Sequence, residues 1–120
     1  MRIVVTSTGE SLDSRVEPRF GRAPHLVVVD MDSNEITVVD NSRGVAAVQG
    51  AGIQAAETVS RSGAECLLTG HCGPKAFRTL EAAGIEVYIG ASGTVAEAVE
   101  QFRQGKLERA RGPTVAGHWA

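Results

Sequence analysis

Aromatic side chains are scarce, at 4% of the chain. A protein that grips single strands by stacking bases needs more of them, which argues against that class. Positive charge is not in excess either. Twelve Lys plus Arg stand against 14 Asp plus Glu, for a formal net charge of −2, whereas general nucleic-acid binders are basic. No apolar run approaches the ~20 residues of a membrane span. The opening Met1-Arg2-Ile3-Val4-Val5-Thr6 turns polar too soon for a signal-peptide core, so the expected location is the cytoplasm. Cys66 and Cys72 are the two cysteines, too few for a disulfide framework and consistent with a reducing compartment. They form no C-x-x-C pair, which disfavours a dithiol redox site or a zinc finger. Phosphate-loop and dinucleotide fingerprints are missing. No serine has His and Asp partners at a recognisable spacing.

What is present describes one globular domain. The chain has 120 residues, 42% hydrophobic and 22% charged, enough for a single core. Ile3-Val4-Val5-Thr6 reads as a short buried strand. A long loop follows from Ser7 to about Pro24. Leu26–Asp30 and Ile36–Asp40 flank Asp32-Ser33-Asn34 and form a predicted hairpin. A helix is expected from about Gln49 to Ser62, with Ile53, Ala56 and Val59 at helical spacing and Gly63 as its stop. Gly50-Ala51-Gly52 is too short for a nucleotide fingerprint and reads as helix-start packing.

The second half alternates. Cys66-Leu67-Leu68-Thr69 is a strand, and Pro74 opens a helix carrying Phe77 and Leu80 that Gly84 ends. Ile85–Ile89 is the next strand. Thr94 and Glu97 form a capping box for a helix with Val95, Val99 and Phe102. Alternating strands and helices at this spacing require parallel pairing with right-handed crossovers. The expected fold is a single α/β layer structure, a mixed sheet of about five strands with about three helices. Residues 1–105 make the domain, and 106–120 form a C-terminal tail without periodicity, docked on it or extending from it. His118 and Trp119 are its notable members.

In open α/β sheets, ligands gather beyond the carboxyl ends of the parallel strands. Three loops are expected there: Ser7–Pro24, Gly70–Gly73 and Gly90–Gly93. The last two open helices, whose free N–H groups favour an anion. Gly70-His71-Cys72-Gly73-Pro74-Lys75 offers close backbone approach, an imidazole, a thiol and an ammonium, with Arg78 one turn on. The long loop adds Arg15, Arg19, Arg22 and His25 around Phe20-Gly21. The basic residues are ten Arg and two Lys, and arginine suits forked hydrogen bonding to anions. A loop this long in a small domain points to function. Cys66 lies in an apolar strand and reads as core. Asp30, Asp32 and Asp40 flank the hairpin, whose turn explains them more simply than a metal-dependent nuclease site does.

Several segments share one pattern. They are the opening strand with Gly9 to Asp13, Glu17-Pro18-Arg19-Phe20-Gly21-Arg22-Ala23, the Val-rich strand ending in Asp30, Thr69-Gly70-His71-Cys72-Gly73-Pro74-Lys75-Ala76-Phe77, and Leu80-Glu81-Ala82-Ala83-Gly84-Ile85. From residue 1 to about 105, the chain resembles the dinitrogenase iron–molybdenum cofactor biosynthesis family, the superfamily of NifX and the C-terminal domain of NifB. The resemblance implies a ribonuclease H-like α/β layer fold. It also implies non-catalytic binding, storage or carriage of a preformed metal–sulfur cluster. His71-Cys72 and the Gly-His-Trp ending resemble a subgroup from anaerobic sulfate reducers. That likeness implies a molybdenum–copper sulfide cluster as guest, or alternatively an iron–molybdenum–sulfur precursor.

An iron–sulfur site needs about four thiolates, and this chain has one plausible candidate. A prebuilt anionic cluster held by charge and hydrogen bonds fits better. The expected contacts are Arg15, Arg19, Phe20, Gly21, Arg22, Gly70, His71, Cys72, Gly73 and Lys75. Cys72 and His71 are the candidates for direct or outer-sphere metal contact. Cluster-donor or acceptor proteins are the expected partners, with neither nucleic acid nor membrane, and the chain is expected as a monomer or weak dimer. A protein-interaction module that binds no metal is the alternative.

Overall fold

The computed structural model describes residues 1–42 and 50–112. One sheet forms the middle layer, with strands β1 (Arg2–Ser7), β2 (His25–Asp30), β3 (Ile36–Asp40), β4 (Cys66–Leu68), β5 (Glu86–Ile89) and β6 (Glu108–Arg109). Their order across the sheet is β3-β2-β1-β4-β5-β6. β1, β4 and β5 run parallel, with Val4 beside Leu67 and Leu67 beside Val87. β2 is antiparallel to both β1 and β3. Two reversals return β3 to the direction of β1, so β1, β3, β4 and β5 all end at the same edge.

The hairpin turn is built as its residues dictate. Asp30 Oδ1 accepts from the backbone N–H of Asp32 at 2.9 Å and of Ser33 at 3.2 Å. Asn34 takes the left-handed φ of 64°, which asparagine tolerates better than most residues. At the other end of β3, Asp40 accepts from the N–H and hydroxyl of Ser42 at 2.9 and 3.0 Å. These hydrogen bonds hold the Asp30 and Asp40 carboxyls below the usual carboxylate range. The hairpin therefore accounts for both.

Among the described residues there are three α-helices: α1 (Ala51–Arg61), α2 (Pro74–Ala82) and α3 (Val95–Arg103). Strand alternation sorts the core between them. Val4, Leu26, Val28, Leu67 and Val87 face α1 and α2, which contribute Ala55, Ala56, Val59, Ala76, Phe77 and Leu80. Ile3, Val5, Val27, Val29, Cys66 and Leu68 face α3, which contributes Val95, Ala98 and Val99. Helices thus cover both faces, as a parallel sheet requires. None of the described helices is long and apolar enough to cross a membrane.

The differences from expectation are local. The sheet has six strands rather than about five. The extra one, Glu108–Arg109, pairs antiparallel with β5 and lies inside the segment expected as tail. Two residues are too few to show a period. Gln49, expected at a helix start, and His118 and Trp119 lie outside the described residues.

The long loop docks back onto the carboxyl edge through Glu17 and Pro18. Glu17 N–H donates to Thr6 O at 3.0 Å, and Thr6 Oγ1 donates to Glu17 O at 2.7 Å. The buried Thr6 and Thr69 hydroxyls meet at 3.0 Å, tying β1 to the end of β4. Beyond them, His71 N–H donates to Pro18 O at 2.9 Å. Gly70 makes this last approach possible. A Cβ there would stand 2.6 Å from Pro18 O and 2.7 Å from Pro18 Cα, closer than real contacts allow. We therefore expect Gly70→Ala to destabilise the domain by about 1–3 kcal/mol, lowering Tm by roughly 5–10 °C. Thermal unfolding followed by circular dichroism reads this directly, and an unchanged Tm would contradict the packing described.

Candidate functional site

A cleft of about 480 Å³ opens at the carboxyl edge, on the face covered by α1 and α2. Three segments wall it: the turn Arg19–Arg22, the start of α1 from Gly50 to Ile53, and His71 with Gly73 to Ala76 at the start of α2. Phe20–Arg22 is a short 3-10 turn whose Phe20 ring is buried in the core. That ring anchors the turn and leaves its backbone to line the cleft. Phe20 N–H donates to His71 O at 3.4 Å, so the two loops run side by side.

Glycine lets the three walls meet. A Cβ on Gly21 would come within 2.9 Å of Gly52 N, and one on Gly52 within 3.0 Å of Ala76 Cβ. The 3-10 turn and α1 therefore touch backbone to backbone, and α1 meets the Ala76 methyl of α2. As a result, two helix N-termini point at one space.

The state of those N-termini decides what the cleft can bind. The first N–H groups of a helix have no partner within it. Gly50 and Gly73 stand at the N-cap positions and supply no side-chain hydrogen bond. Among the described residues, the amides of Gly52, Ile53, Lys75 and Ala76 have no acceptor. Each such terminus carries about +0.5 charge and stabilises an anion by roughly 0.3–1 kcal/mol at an exposed site.

The N-terminus of α3 is the contrast. Thr94 and Glu97 form a full capping box, with N–H to side-chain distances of 2.9 and 3.1 Å. Val95 N–H donates to Ser14 O at 2.8 Å, and Ala96 N–H to Leu12 O at 2.9 Å. The hydrogen bonds from Thr94, backbone first and then side chain, hold the Glu97 carboxyl below its usual range. The Gly90–Gly93 loop does reach the expected edge, where Gly90 N–H donates to Gly70 O at 3.1 Å. Its helix, however, is saturated and faces the other way.

Side-chain charge agrees with the backbone. Arg19, Arg22 and Lys75 line the cleft, and His71 sits half-buried between them. The floor is apolar, from Ile53, Pro74 and Ala76. A wider groove of about 800 Å³ runs along α1 past Asp40, Glu57 and Arg61. Among the described residues it offers two carboxylates against one guanidinium, a poor setting for an anion.

Seven of the ten expected contacts fall together: Arg19, Phe20, Gly21, Arg22, His71, Gly73 and Lys75. Three do not. Arg15 bridges to Thr94 and lies near Glu97 at the saturated end of α3. Gly70 supports the Pro18 approach and lies outside the lining. Cys72 is 1% exposed and packs in the core with Leu67, Phe77 and Leu80. Alternation along a buried segment turned it inward while His71 turned out. His25, placed in the same loop by sequence, begins β2 and shares a face with Val27, away from the cleft. Gly50 to Ile53 were not expected at the site. The available signal was a helix starting without a Ser, Thr, Asp or Asn cap after a strand that ends at the binding edge.

The cleft lining carries no thiol. Among the described residues no group of three or more His, Cys, Asp and Glu is placed to hold a metal ion. Burial pushes the Cys72 thiol from 9.0 up to about 12, and burial is the largest cause raising Cys66 to about 11. Both are therefore neutral at physiological pH.

The chain as a whole is similar to several known proteins. A family model described as dinitrogenase iron-molybdenum cofactor matches residues 1–105. The chain is similar to the orange protein from Desulfovibrio gigas, solved in its apo form, at 48% identity and a TM-score of 0.91, covering 94% of this chain and 95% of that one. It is also similar to a Thermotoga protein provisionally named NifB, at 37% identity and a TM-score of 0.79, covering 90% and 91%. An uncharacterized protein of Methanocaldococcus jannaschii is 27% identical over 81% of this chain and 84% of that one.

The buried thiols generate a prediction. At pH 8 a disulfide reagent such as dithionitrobenzoate should label well under one thiol in the native protein, and two after denaturation. Rapid native labelling would show that Cys72 is accessible. The linkage sign follows from the raised pKa values. A thiol that binds its proton more tightly when folded contributes fully below the unfolded value near 9. That contribution is lost as pH rises through the folded values, so denaturant midpoints should fall between about pH 9 and 12.

Proposed function

The chain belongs to the dinitrogenase iron-molybdenum cofactor family, and from that premise we propose that its cleft stores or carries a preformed anionic metal–sulfide cluster without catalysing a reaction on it. One observation supports this reading above the others. Two uncapped helix N-termini and three cationic side chains surround an apolar floor that offers no thiolate.

Each part of that arrangement favours a cluster that arrives complete. With no sulfur ligand in the lining, the guest must bring its own sulfides. A sulfide-coated surface is large, soft and weakly hydrated, so contact with Ile53 and Pro74 opposes its binding little. A small oxyanion would lose strong hydration at the same floor. Arg19, Arg22, Lys75, His71 and the amides of Gly52, Ile53, Lys75 and Ala76 are the donors such a surface accepts. The net charge of −2 does not oppose this, because Arg19, Arg22 and Lys75 line the cleft and none of its lining residues is a carboxylate.

The guest we favour is a molybdenum–copper sulfide cluster, which the His71-Cys72 pattern implies. The 48% identity with the orange protein supports the assignment. Cys72 supports the wall of the cleft from beneath, and His71 is the side chain of the pair that faces the guest.

The test is a visible spectrum with elemental analysis. Protein should be purified anaerobically from its native host, and apo-protein incubated with tetrathiomolybdate and a copper salt. The expected result is a charge-transfer band with molybdenum, copper and sulfide in fixed ratio to protein. A colourless, metal-free product from both routes would refute cluster carriage and favour an interaction module. Cys72→Ala should keep uptake within about twofold, since the thiol is outside the lining, whereas loss of metal from a folded variant would make it a ligand. Arg19→Ala combined with Arg22→Ala should lower retention and make the remainder less sensitive to salt, because two of the charge contacts are gone.

A further inference from the structure

Glu17 stands just outside the cleft. Its side chain is 15% exposed, against 65% for that of Arg19, and it does not contribute to the lining. Its Oε1 accepts from Arg19 Nε at 3.1 Å and from the Arg19 backbone N–H at 3.3 Å. The carboxylate is itself firmly mounted. Both backbone polar groups of Glu17 bond to Thr6, which is fully buried at the end of β1.

A guanidinium has five N–H donors, one on Nε and four on the two Nη atoms. With Nε engaged by Glu17, the four Nη donors remain, and among the described residues they have no acceptor. Arg19 itself lines the cleft. A half-buried carboxylate beside an anion site should, by Coulomb's law alone, weaken the anion's binding. Its two-point grip on Arg19 gives it the opposite effect, because an arginine otherwise spreads over many rotamers.

We propose that Glu17 is a positioning residue: it fixes the Arg19 guanidinium at the rim of the cleft and leaves the Nη edge as the donor face for a sulfide-coated anion. This rests on the cargo reading above, and the sign of one substitution separates it from simple electrostatics. Removing a negative charge near an anion site should tighten binding if Glu17 acts only through its field. It should loosen binding if Glu17 acts through Arg19.

The experiment measures uptake and retention of tetrathiomolybdate with copper(I), under anaerobic conditions, in four variants: Glu17→Ala, Glu17→Gln, Arg19→Ala, and Glu17→Ala combined with Arg19→Ala. Glu17→Ala should weaken retention by about 3–10-fold, the range for one ordinary hydrogen bond, because the direct Arg19 contact is loosened and not removed. The same substitution should have no further effect in the Arg19→Ala background, as a coupled pair requires. Glu17→Gln keeps a carbonyl acceptor and should fall between wild type and Glu17→Ala. It also serves as the test variant if Glu17→Ala does not fold. Tighter or unchanged retention in Glu17→Ala, or an equal loss in both backgrounds, would overturn the proposal.

A second readout needs no cluster. In the unliganded protein, the Arg19 Nε–H should exchange slowly with solvent and shift downfield in nitrogen-15 spectra, and both features should vanish in Glu17→Ala. Exchange equal to that in the variant would overturn the proposal. If the wild type takes up no probe, the cargo reading fails, and this exchange measurement still decides whether Glu17 holds Arg19.

Discussion

The docking of residues 16–22 onto the carboxyl edge of the sheet is the constraint from which the rest of the site follows. It is made by a small set of hydrogen bonds between Thr6, Glu17, Thr69, Pro18 and His71. Each is short, and the two threonine hydroxyls are fully buried. In such surroundings an unmade hydrogen bond costs about 1–3 kcal/mol, so the arrangement is strongly specified. Gly70 is the steric condition for it, because any side chain there would strike Pro18. The buried Phe20 ring then fixes the following turn. Arg19 and Arg22 are carried into position by backbone that has little freedom to move.

Among the described residues the same edge of the sheet bears the N-termini of α1, α2 and α3, and the chain treats them differently. One is closed by Thr94, Glu97 and the carbonyls of Leu12 and Ser14. The other two begin with glycine and are left without side-chain caps. Helix starts normally take Ser, Thr, Asp or Asn, and glycine in their place costs only about a few tenths of a kcal/mol. Two glycine starts facing one cleft therefore leave it without side-chain caps at little cost in local stability. Among the described residues these amides have no acceptor, and in the proposed reading an anionic guest would supply one.

The thiols show the same separation between structure and chemistry. Cys66 and Cys72 lie on opposite faces of the sheet, each in its own core cluster. Burial keeps both protonated. A thiolate in the cleft would add negative charge against a negative guest, and no thiol lines it. The lining offers cations, backbone amides and an apolar floor instead, a donor set without the thiolates that a conventional protein-built iron–sulfur site uses.

Much of this was legible in the sequence. Strand and helix periods placed the β1, hairpin, α2 and α3 segments to within a residue or two, because each buries a face whose spacing matches its own geometry. Thr94 and Glu97 declared their capping box, and Asp32-Ser33-Asn34 its turn, since those interactions are local. Arg19, Arg22, His71 and Lys75 could be named because their loops follow or precede elements with a known direction. Glu108–Arg109 could not be read, as two residues form a strand only by pairing with β5. Nor could the roles of Arg15, Gly70, Cys72 and Gly50 to Ile53, or the grip of Glu17 on Arg19. Which way a loop side chain turns, and which helix start meets which loop, depends on contacts between segments distant in the chain. The sequence by itself determined the elements, their direction and the edge at which their loops gather. Only the tertiary structure decided which donors face the cleft and which are consumed by the fold, because that choice is made by packing across the sheet.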